Sequence, residues 1–438
     1  TPLLVLIVGT GIYLTFRLGF VQILALPTAL INAFSRRKQD KVSEGDISHY
    51  EALTTAMSAT VGTGNIVGVA TAVIAGGPGA VFWMWSMAIF GMATKYAEAV
   101  LAVKYRVKDA RGEMAGGPMY YLERGLNAKW LAVIFAVFGS IAAFGIGNMV
   151  QANAVSNAAA NSFNIPSWLT GIVLVAITAL VILGGIKSIG KVTAFLVPIM
   201  AVFYVFGGLL IMALNIDLVP TAINTILVDA FTAQAVGGGI LGTVIRYGIA
   251  RGIFSNEAGL GSSPIAAAAA KTDYPGRQGL VSMTQVLIDT IIVCSITGIT
   301  IVMADLYQSG IDGNALTSES FGAFLGAPGF YIVSIATILF AYSTLIGWSY
   351  YGEKCFNYLF RSPKAVTFYR VIWVLVVFVG SITLIDIVWL FADIFNALMA
   401  IPNLIGLLGL SGVVAYETKR FLKVAKEEKE AEKRAKVS

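Results

Sequence analysis

The sequence repeats one small-residue pattern, first as Ser58-Ala-Thr-Val-Gly62-Thr-Gly64-Asn65 and again as Ser255-Asn-Glu-Ala-Gly259-Leu-Gly261-Ser262. Both copies read S-x-x-x-G-x-G before a small polar residue, and both lead into an alanine-rich hydrophobic stretch. Glycine pairs and polar groups weaken a helix at membrane depth, and they persist only where the freed backbone faces a cavity or a ligand. The repeat therefore predicts two interrupted helices that meet at a solute site.

The composition is that of a membrane protein. Of the 438 residues, 57% are hydrophobic and only 12% are charged, whereas about 25% of the residues of a soluble domain are charged. Apolar runs of about 20 residues, the length that a helix needs to cross the hydrocarbon core, recur along the chain. We therefore predict a polytopic all-α membrane protein in contact with lipid.

The charged and metal-binding residue types argue against several other classes. The net charge of +6 comes from basic residues in loops between apolar runs, as membrane topology requires, so no nucleic-acid partner is expected. Cys294 and Cys355 lie in or near different spans, and the single histidine, His49, lies at a helix start. No disulfide framework, no CxxC or histidine metal site and no organic cofactor are therefore predicted.

The apolar runs predict eleven spans. They cover residues 1–33, 50–75, 79–104, 129–160, 167–184, 190–214, 236–269, 279–304, 328–354, 365–384 and 386–416. Loops that contain Lys and Arg alternate strictly with neutral or acidic loops. Because basic loops stay in the cytoplasm, the pattern predicts an outer N-terminus and a cytoplasmic C-terminus in the cell membrane.

Ten of these spans divide into two halves of five. An extra N-terminal helix and its loop occupy 1–46, the first half occupies 47–215, and an extracellular loop with the second half occupies 216–418. A charged cytoplasmic tail follows at 419–438, and the loop at 307–327 is expected to form an ordered extracellular cap. Each half begins with its interrupted helix. Because each half has five spans, an odd number, the second half starts on the opposite side of the membrane from the first. This predicts a 5+5 inverted repeat with discontinuous first and sixth core helices.

The first break offers both donors and acceptors. The second half of an interrupted helix begins with exposed backbone N–H groups, where the helix dipole favours a carboxylate. Thr63, Gly64 and Asn65 are the predicted donors, and the carbonyls from Ser58 to Val61 could hold a small hard cation. The alternative is that Gly64 and Gly68 form a GxxxG packing face.

The second break places a carboxylate in an apolar segment. An ionisable group at membrane depth is costly and indicates function by default, so Glu257 is a candidate. Arg246 or Arg251 could pair with it, either as an inert ion pair or as a gate or coupling element. Asp289, in the next span, is a further buried acid.

Polar side chains in two other spans are candidate ligands. Gln151, one helical turn from Asn148, could bind either end of a zwitterion or could join two helices. Ser343 and Thr344 could each give an oxygen to a cation or could bond back to their own helix. Trp348, one turn further along, could close the cavity or could simply pack.

Three longer motifs resemble the sodium:alanine/glycine symporters. They are Gly76-Gly77-Pro78-Gly79-Ala80-Val81-Phe82-Trp83-Met84-Trp85, the window Gly252–Ser262 and the window Thr344–Glu353. The resemblance covers nearly the whole chain. It implies a LeuT-type fold with one extra N-terminal helix, and sodium-driven uptake of alanine and glycine.

A more distant resemblance, to the bacterial leucine transporter, implies roles for single residues. The implied substrate-binding set is Gly62, Thr63, Gly64, Asn65, Gln151, Phe254, Ser255, Gly259 and Trp348. The implied sodium site consists of Ser58, Val61, Ser343 and Thr344, with a possible second sodium at Thr60, Asn65 and Ser255. Glu257 stands where that pattern has a small polar residue, so the second sodium site is expected to differ or to be absent.

The predicted function is therefore sodium-coupled symport of small neutral amino acids. The alternatives are a proton-coupled transporter of another small solute on the same fold, a passive channel and a membrane-embedded enzyme. The ring-forming filter motif of a channel is not visible in the sequence. An intramembrane enzyme would need a motif such as HExxH or a serine with a base.

Overall fold

The computed structural model describes residues 2–34, 43–232, 241–383 and 386–437, and nearly all of them are helical. The N-terminal region was predicted as one span over 1–33, but it divides into α1 (Pro2–Arg17), α2 (Val21–Leu24) and α3 (Leu26–Phe34). The helix ends near Gly19 and Phe20, which have φ angles of +64° and +56°. A right-handed helix does not continue through such left-handed residues.

The next part of the chain contains the first break. Its helices are α4 (His49–Thr60), a π-helical turn (Gly64–Gly68), α5 (Val69–Gly76), α6 (Ala80–Lys104), α7 (Pro118–Gly125), α8 (Lys129–Ala142), a second π-helical turn (Ala143–Met149), α9 (Val150–Phe163), α10 (Ser167–Ile182) and α11 (Gly185–Leu214). A short hairpin of β1 (Val107–Lys108) and β2 (Met114–Ala115) lies between α6 and α7. Helix α4 begins with a capping box, in which the side chains of Ser48 and Glu51 each accept the other's backbone N–H.

The remaining helices contain the second break. They are α12 (Leu218–Thr232), α13 (Leu241–Asn256), α14 (Pro264–Ala267), α15 (Pro275–Val286), a third π-helical turn (Leu287–Cys294), α16 (Ser295–Ala304), α17 (Gly313–Leu325), α18 (Ala327–Phe360), α19 (Pro363–Ile382), α20 (Asp386–Gly409) and α21 (Ser411–Val437). The start of the predicted span 236–269 lies partly outside the described residues.

Two segments differ from the sequence-based expectation. Residues 218–232, predicted as part of a loop, form α12, and the Asp229 carboxylate accepts the N–H of Gly79 at 2.7 Å. Glycine at that position lets α12 approach closely, because a Cβ there would lie 2.4 Å from the backbone N of Ala230. The predicted span 386–416 ends at Gly409, and α21 leaves it at an angle of 61° and continues through the charged tail.

The helices have the length and composition of a membrane protein. Within the described residues, six helices are long and apolar enough to cross a membrane, or up to eight if each of two bent helix pairs counts as one span. One bent pair is α4 with the segment Gly64–Gly76, at 54°. These helices confirm a polytopic all-α architecture, while the count of eleven, the inverted repeat and the orientation of the termini stay predictions.

Helix α18 organises the interior. It packs against α4, α8, α9 and α11 along its 34 residues. A cluster of charged residues surrounds its last turns, and we call it the α18-end cluster. The cluster consists of Asp109, Arg111, Glu113, Glu353, Lys354 and Arg370.

The α18-end cluster joins the loop after α6 to α18 and α19. Lys354, which is 1% exposed, lies 3.0 Å from both Asp109 and Glu113, and Glu353 pairs with Arg111 at 2.8 Å and Arg370 at 2.7 Å. Burial by itself raises the pKa of Asp109. The attraction of Lys354 and the hydrogen bonds to the carboxylate outweigh burial and bring this pKa below its ordinary value of 3.8.

Candidate functional site

The first break forms where the repeated pattern predicts it. Helix α4 ends at Thr60, and Val61 is extended, with φ of −74° and ψ of 90°. The Asn65 side chain replaces part of the lost ladder, since its Oδ1 accepts the N–H of Gly62 at 2.8 Å. The chain then resumes as the π-helical turn and α5. A helix end with free carbonyls therefore lies directly before a helix start.

The second break is held by two residues that the sequence analysis did not single out, Glu98 and Asn403. Glu257, Gly259 and Gly261 have left-handed φ angles of 56°, 91° and 83°. The Oε1 atom of Glu98, on α6, accepts the N–H groups of Gly259 and Gly261, each at 3.1 Å. Asn403 donates to the same oxygen at 2.7 Å and to the Gly259 carbonyl at 2.9 Å. The one available signal was a carboxylate inside the apolar α6.

Four oxygens at the first break form a candidate cation site. The Ser343 hydroxyl lies 3.2 Å from the Ser58 carbonyl and 3.4 Å from the Val61 carbonyl. The Thr344 hydroxyl lies 3.5 Å from the same Val61 carbonyl. Both hydroxyls also bond back to the Phe340 carbonyl, so the predicted alternative is present as well. All four groups are buried, and oxygen ligands suit a hard cation such as sodium.

A second polar group surrounds Asp289, which is fully buried. Its carboxylate accepts hydrogen bonds from Asn65 Nδ2 at 2.8 Å, Ser255 Oγ at 2.8 Å and Thr290 Oγ1 at 2.8 Å. Asn65 also donates to the Ser255 hydroxyl at 3.1 Å. The structure thus brings Asn65 and Ser255 together and adds Asp289. In contrast, the hydroxyl of Thr60 bonds within its own helix, to the carbonyls of Ala56 and Met57.

The candidate substrate contacts meet on the other side of the first break. Gln151 donates to the Thr63 hydroxyl at 3.3 Å, and its buried Oε1 has no hydrogen-bond partner among the described residues. A Cβ at Gly64 would lie 3.2 Å from the Phe254 ring and 3.3 Å from Ser255 Cα, so the two breaks touch here. An unpaired buried amide oxygen next to a helix start suits a ligand that brings its own N–H donors.

Two of the predicted residues have other contacts. Gly259 gives its N–H to Glu98, and the space beside its Cα is filled by Ile7 and Leu404. Trp348 packs on Gly147 and donates its indole N–H to Glu257.

The proposed pairing of Glu257 with an arginine is wrong for the described residues. The carboxylate of Glu257 accepts hydrogen bonds from Trp348 Nε1 at 2.8 Å and from Ser262 Oγ at 2.5 Å. The Arg246 guanidinium lies 4.7 Å from the centre of the Tyr247 ring, and that of Arg251 lies 5.8 Å from the centre of the Phe254 ring. Both arginines precede the break on α13, and they stack on aromatic rings of their own helix.

A cavity of about 900 Å³ leads to the first break. Its lining includes residues of 312–319, which are part of the segment 307–327 that was predicted to form an ordered cap, together with Thr63 and Val150. Its polar lining includes Asn153, Asn157, Asn161, Ser162, Ser318 and Glu319. A polar cavity therefore adjoins the first break.

The fold belongs to a known class of membrane protein. The structure resembles that of MhsT in complex with L-phenylalanine, with a TM-score of 0.61 and 16% identity over 83% of this chain and 89% of that one. It also resembles a Na+-coupled sialic acid symporter in its substrate-bound outward-open state, with a TM-score of 0.56 and 12% identity over 90% and 86% of the two chains. These two likenesses show a LeuT-type fold.

The chain belongs to the sodium:alanine symporter family, whose match covers residues 1–435. It is 58% identical to the sodium/alanine symporter AgcS of Methanococcus maripaludis, over 97% of this chain and 95% of that protein. It is 39% identical to the probable sodium/glutamine symporter GlnT of Bacillus subtilis, over 97% and 88% of the two chains. Membership confirms the predicted family and the prediction of a transporter rather than an enzyme.

Proposed function

We propose that this protein is a sodium-coupled symporter of alanine and glycine that works by alternating access in the cell membrane. The observation that carries the proposal is the contact between the cation site and the first break. A Cβ at Gly62 would lie 2.3 Å from the Thr344 hydroxyl, so backbone and hydroxyl are closely packed. Gly62 directly precedes Thr63 and Gly64, and an ion held at Thr344 therefore orders the backbone that receives the substrate.

The substrate is a small zwitterion. Its carboxylate binds at Thr63, Gly64 and Asn65, where the helix start favours an anion. Its ammonium group binds the unpaired Oε1 of Gln151. Phe254 lies against Gly64, and we expect its ring to limit the substrate side chain to a hydrogen atom or a methyl group.

The coupling ion is sodium, and two places suit it. Ser58, Val61, Ser343 and Thr344 provide four neutral oxygens for one ion. Asn65, Ser255 and Asp289 provide a second place, where a carboxylate carries the charge. Within the described residues no Lys or Arg nitrogen lies within 4.0 Å of the Asp289 carboxylate, and the buried Lys95 acts on it only from a longer distance. A buried carboxylate is costly unless a cation or a proton compensates its charge.

Proton coupling is the second candidate, because the Asp289 carboxylate suits a proton as well as a sodium ion. Both candidates use the same fold and the same substrate site. They differ in the ion gradient that drives accumulation.

Uptake into liposomes tests the proposal. Purified protein would be reconstituted, and uptake of labelled alanine would be measured under an inward gradient of sodium, potassium or choline at equal pH, and under a pH gradient without sodium. We expect accumulation with sodium only and competition by glycine more than by valine or leucine. Accumulation driven by the pH gradient alone would replace sodium with protons. Equal, non-accumulating flux in every condition would indicate a passive channel.

A further inference from the structure

Glu257 occupies an unfavourable position by two measures. Its φ angle is +56°, a left-handed conformation that side chains other than glycine seldom adopt, and its side chain is 3% exposed at the centre of the second break. Burial of a carboxylate costs free energy unless its charge is paired and hydrogen-bonded, and the buried Lys95 provides an opposite charge that acts on it. The contacts of its two oxygens therefore indicate the role of the carboxylate.

The two oxygens of Glu257 connect the second break to α18. Oε1 accepts the indole N–H of Trp348 at 2.8 Å, and Oε2 accepts the hydroxyl of Ser262 at 2.5 Å. Ser262 lies at the far end of the same break, so the side chain is anchored on its own segment. Because Ser262 holds the carboxylate in place, the carboxylate in turn fixes the direction of the indole N–H that donates to it.

That donor lies close to the proposed site. Trp348 lies one helical turn after Thr344 on the same face of α18, and Thr344 contacts Gly62 of the first break. The indole is 1% exposed, and a Cβ at Gly147 would lie 2.2 Å from the Cβ of Trp348. The absence of a side chain at Gly147 provides space for the indole ring, and the hydrogen bond to Glu257 fixes the orientation of the ring.

We propose that Glu257 is a positioning residue that sets the upper size of the substrate by fixing the Trp348 indole as a wall of the site. This inference rests on the proposed function, because it assumes an amino acid between the two breaks. When the acceptor is lost, the buried N–H has no partner, so the indole turns to find another and the space beside it opens to longer side chains.

Two substitutions at position 257 separate the acceptor from the charge. Glu257→Gln keeps a carbonyl oxygen for the indole and removes the charge, whereas Glu257→Met keeps the length and removes both acceptors. Trp348→Phe keeps an aromatic wall and removes the N–H donor. For each variant, kcat and KM for alanine and for valine would be measured in sodium-driven liposome uptake, after elution as a single species in detergent.

We expect Glu257→Gln to retain the wild-type selectivity for alanine over valine. Glu257→Met should lower the ratio of the two kcat/KM values about 10-fold, mainly through a lower KM for valine. Trp348→Phe should show the same loss, and combining it with Glu257→Met should add little, because both remove the same hydrogen bond between the indole and residue 257.

Three results would overturn the proposal. They are full selectivity in Trp348→Phe, equal loss in the Gln and Met variants, and additive losses in the double variant. Absence of sodium-driven alanine uptake by the wild-type protein would instead contradict the proposed function, so the two failures are distinguishable. If Glu257→Met does not fold, Glu257→Gln and Trp348→Phe still decide the question.

Discussion

Removing the Thr344 hydroxyl should weaken sodium binding and leave the rest of the site intact. Valine has nearly the same shape as threonine, so Thr344→Val keeps the packing against Gly62. The hydroxyl lies 3.5 Å from the Val61 carbonyl and belongs to a group of four oxygens, so its loss removes one of the four. An interaction of this kind with a charged group is worth about 1.5–3 kcal/mol, which corresponds to a roughly 10- to 150-fold weaker affinity.

The assay is alanine uptake into liposomes as a function of external sodium. We expect the sodium concentration for half-maximal uptake to rise by at least about 10-fold in Thr344→Val, with a smaller effect on the maximal rate at saturating sodium. Thr337→Val is the matched control on the same helix, because its hydroxyl donates to the Val333 carbonyl of its own helix. Its sodium dependence should match that of the wild type.

An unchanged sodium dependence in both Thr344→Val and Ser343→Ala would refute the reasoning. The coupling ion would then belong to the group of Asn65, Ser255 and Asp289, or sodium would have no part in the mechanism. A parallel rise in Thr337→Val would show that the effect comes from a general disturbance of α18.

Three further predictions concern the breaks and the charged cluster. Gly64→Ala should weaken alanine uptake and Gly64→Leu should abolish it, because a Cβ at this position meets Phe254 at 3.2 Å. Gly68→Ala is the control and should transport normally, because no described atom outside its own helix backbone lies within 4 Å of the added Cβ. Normal uptake by Gly64→Leu would contradict the site. Phe254→Ala should admit valine, as measured by competition with labelled alanine, and an unchanged substrate range would place the wall elsewhere. Asp109→Asn should lower the melting temperature at neutral pH, because Asp109 has a pKa below its ordinary 3.8 in the folded protein and so stabilises the fold above that pH. The difference from the wild type should disappear as the pH falls through the lowered pKa, and a constant difference at all pH values would exclude the Lys354 pair as its cause.

The sequence predicted the parts of the site that depend on local backbone chemistry. Paired glycines with small polar neighbours weaken a helix wherever they occur, so both breaks could be located without tertiary information. The oxygens of Ser343 and Thr344 could be named for a related reason, because adjacent hydroxyls in an apolar helix have few roles. Their convergence on Ser58 and Val61 came only from the family resemblance.

The remaining features depend on contacts between distant segments. Glu98 and Asn403 lie in helices far apart in the chain, and nothing local indicates that both bond to the backbone of one break. Asp289 was recognised as a buried acid, but its partners Asn65 and Ser255 lie on other segments of the chain. The arginine pairing failed because proximity along α13 does not place a side chain on the face of Glu257.

Helix α18 has no proline after its first turn, and it is unbroken for 34 residues, or about 51 Å. Thr344 and Lys354 are ten residues apart, so about 15 Å of stiff rod separates the candidate sodium site from the α18-end cluster. In a continuous helix, a tilt about one point displaces the distant residues. A tilt of about 10° around Thr344 displaces Lys354 by about 2.6 Å, which is close to the whole length of its ion pairs, 3.0 Å. If an ion at the candidate sodium site tilts α18 in this way, several salt bridges at the far end would break or form, with no hinge in between.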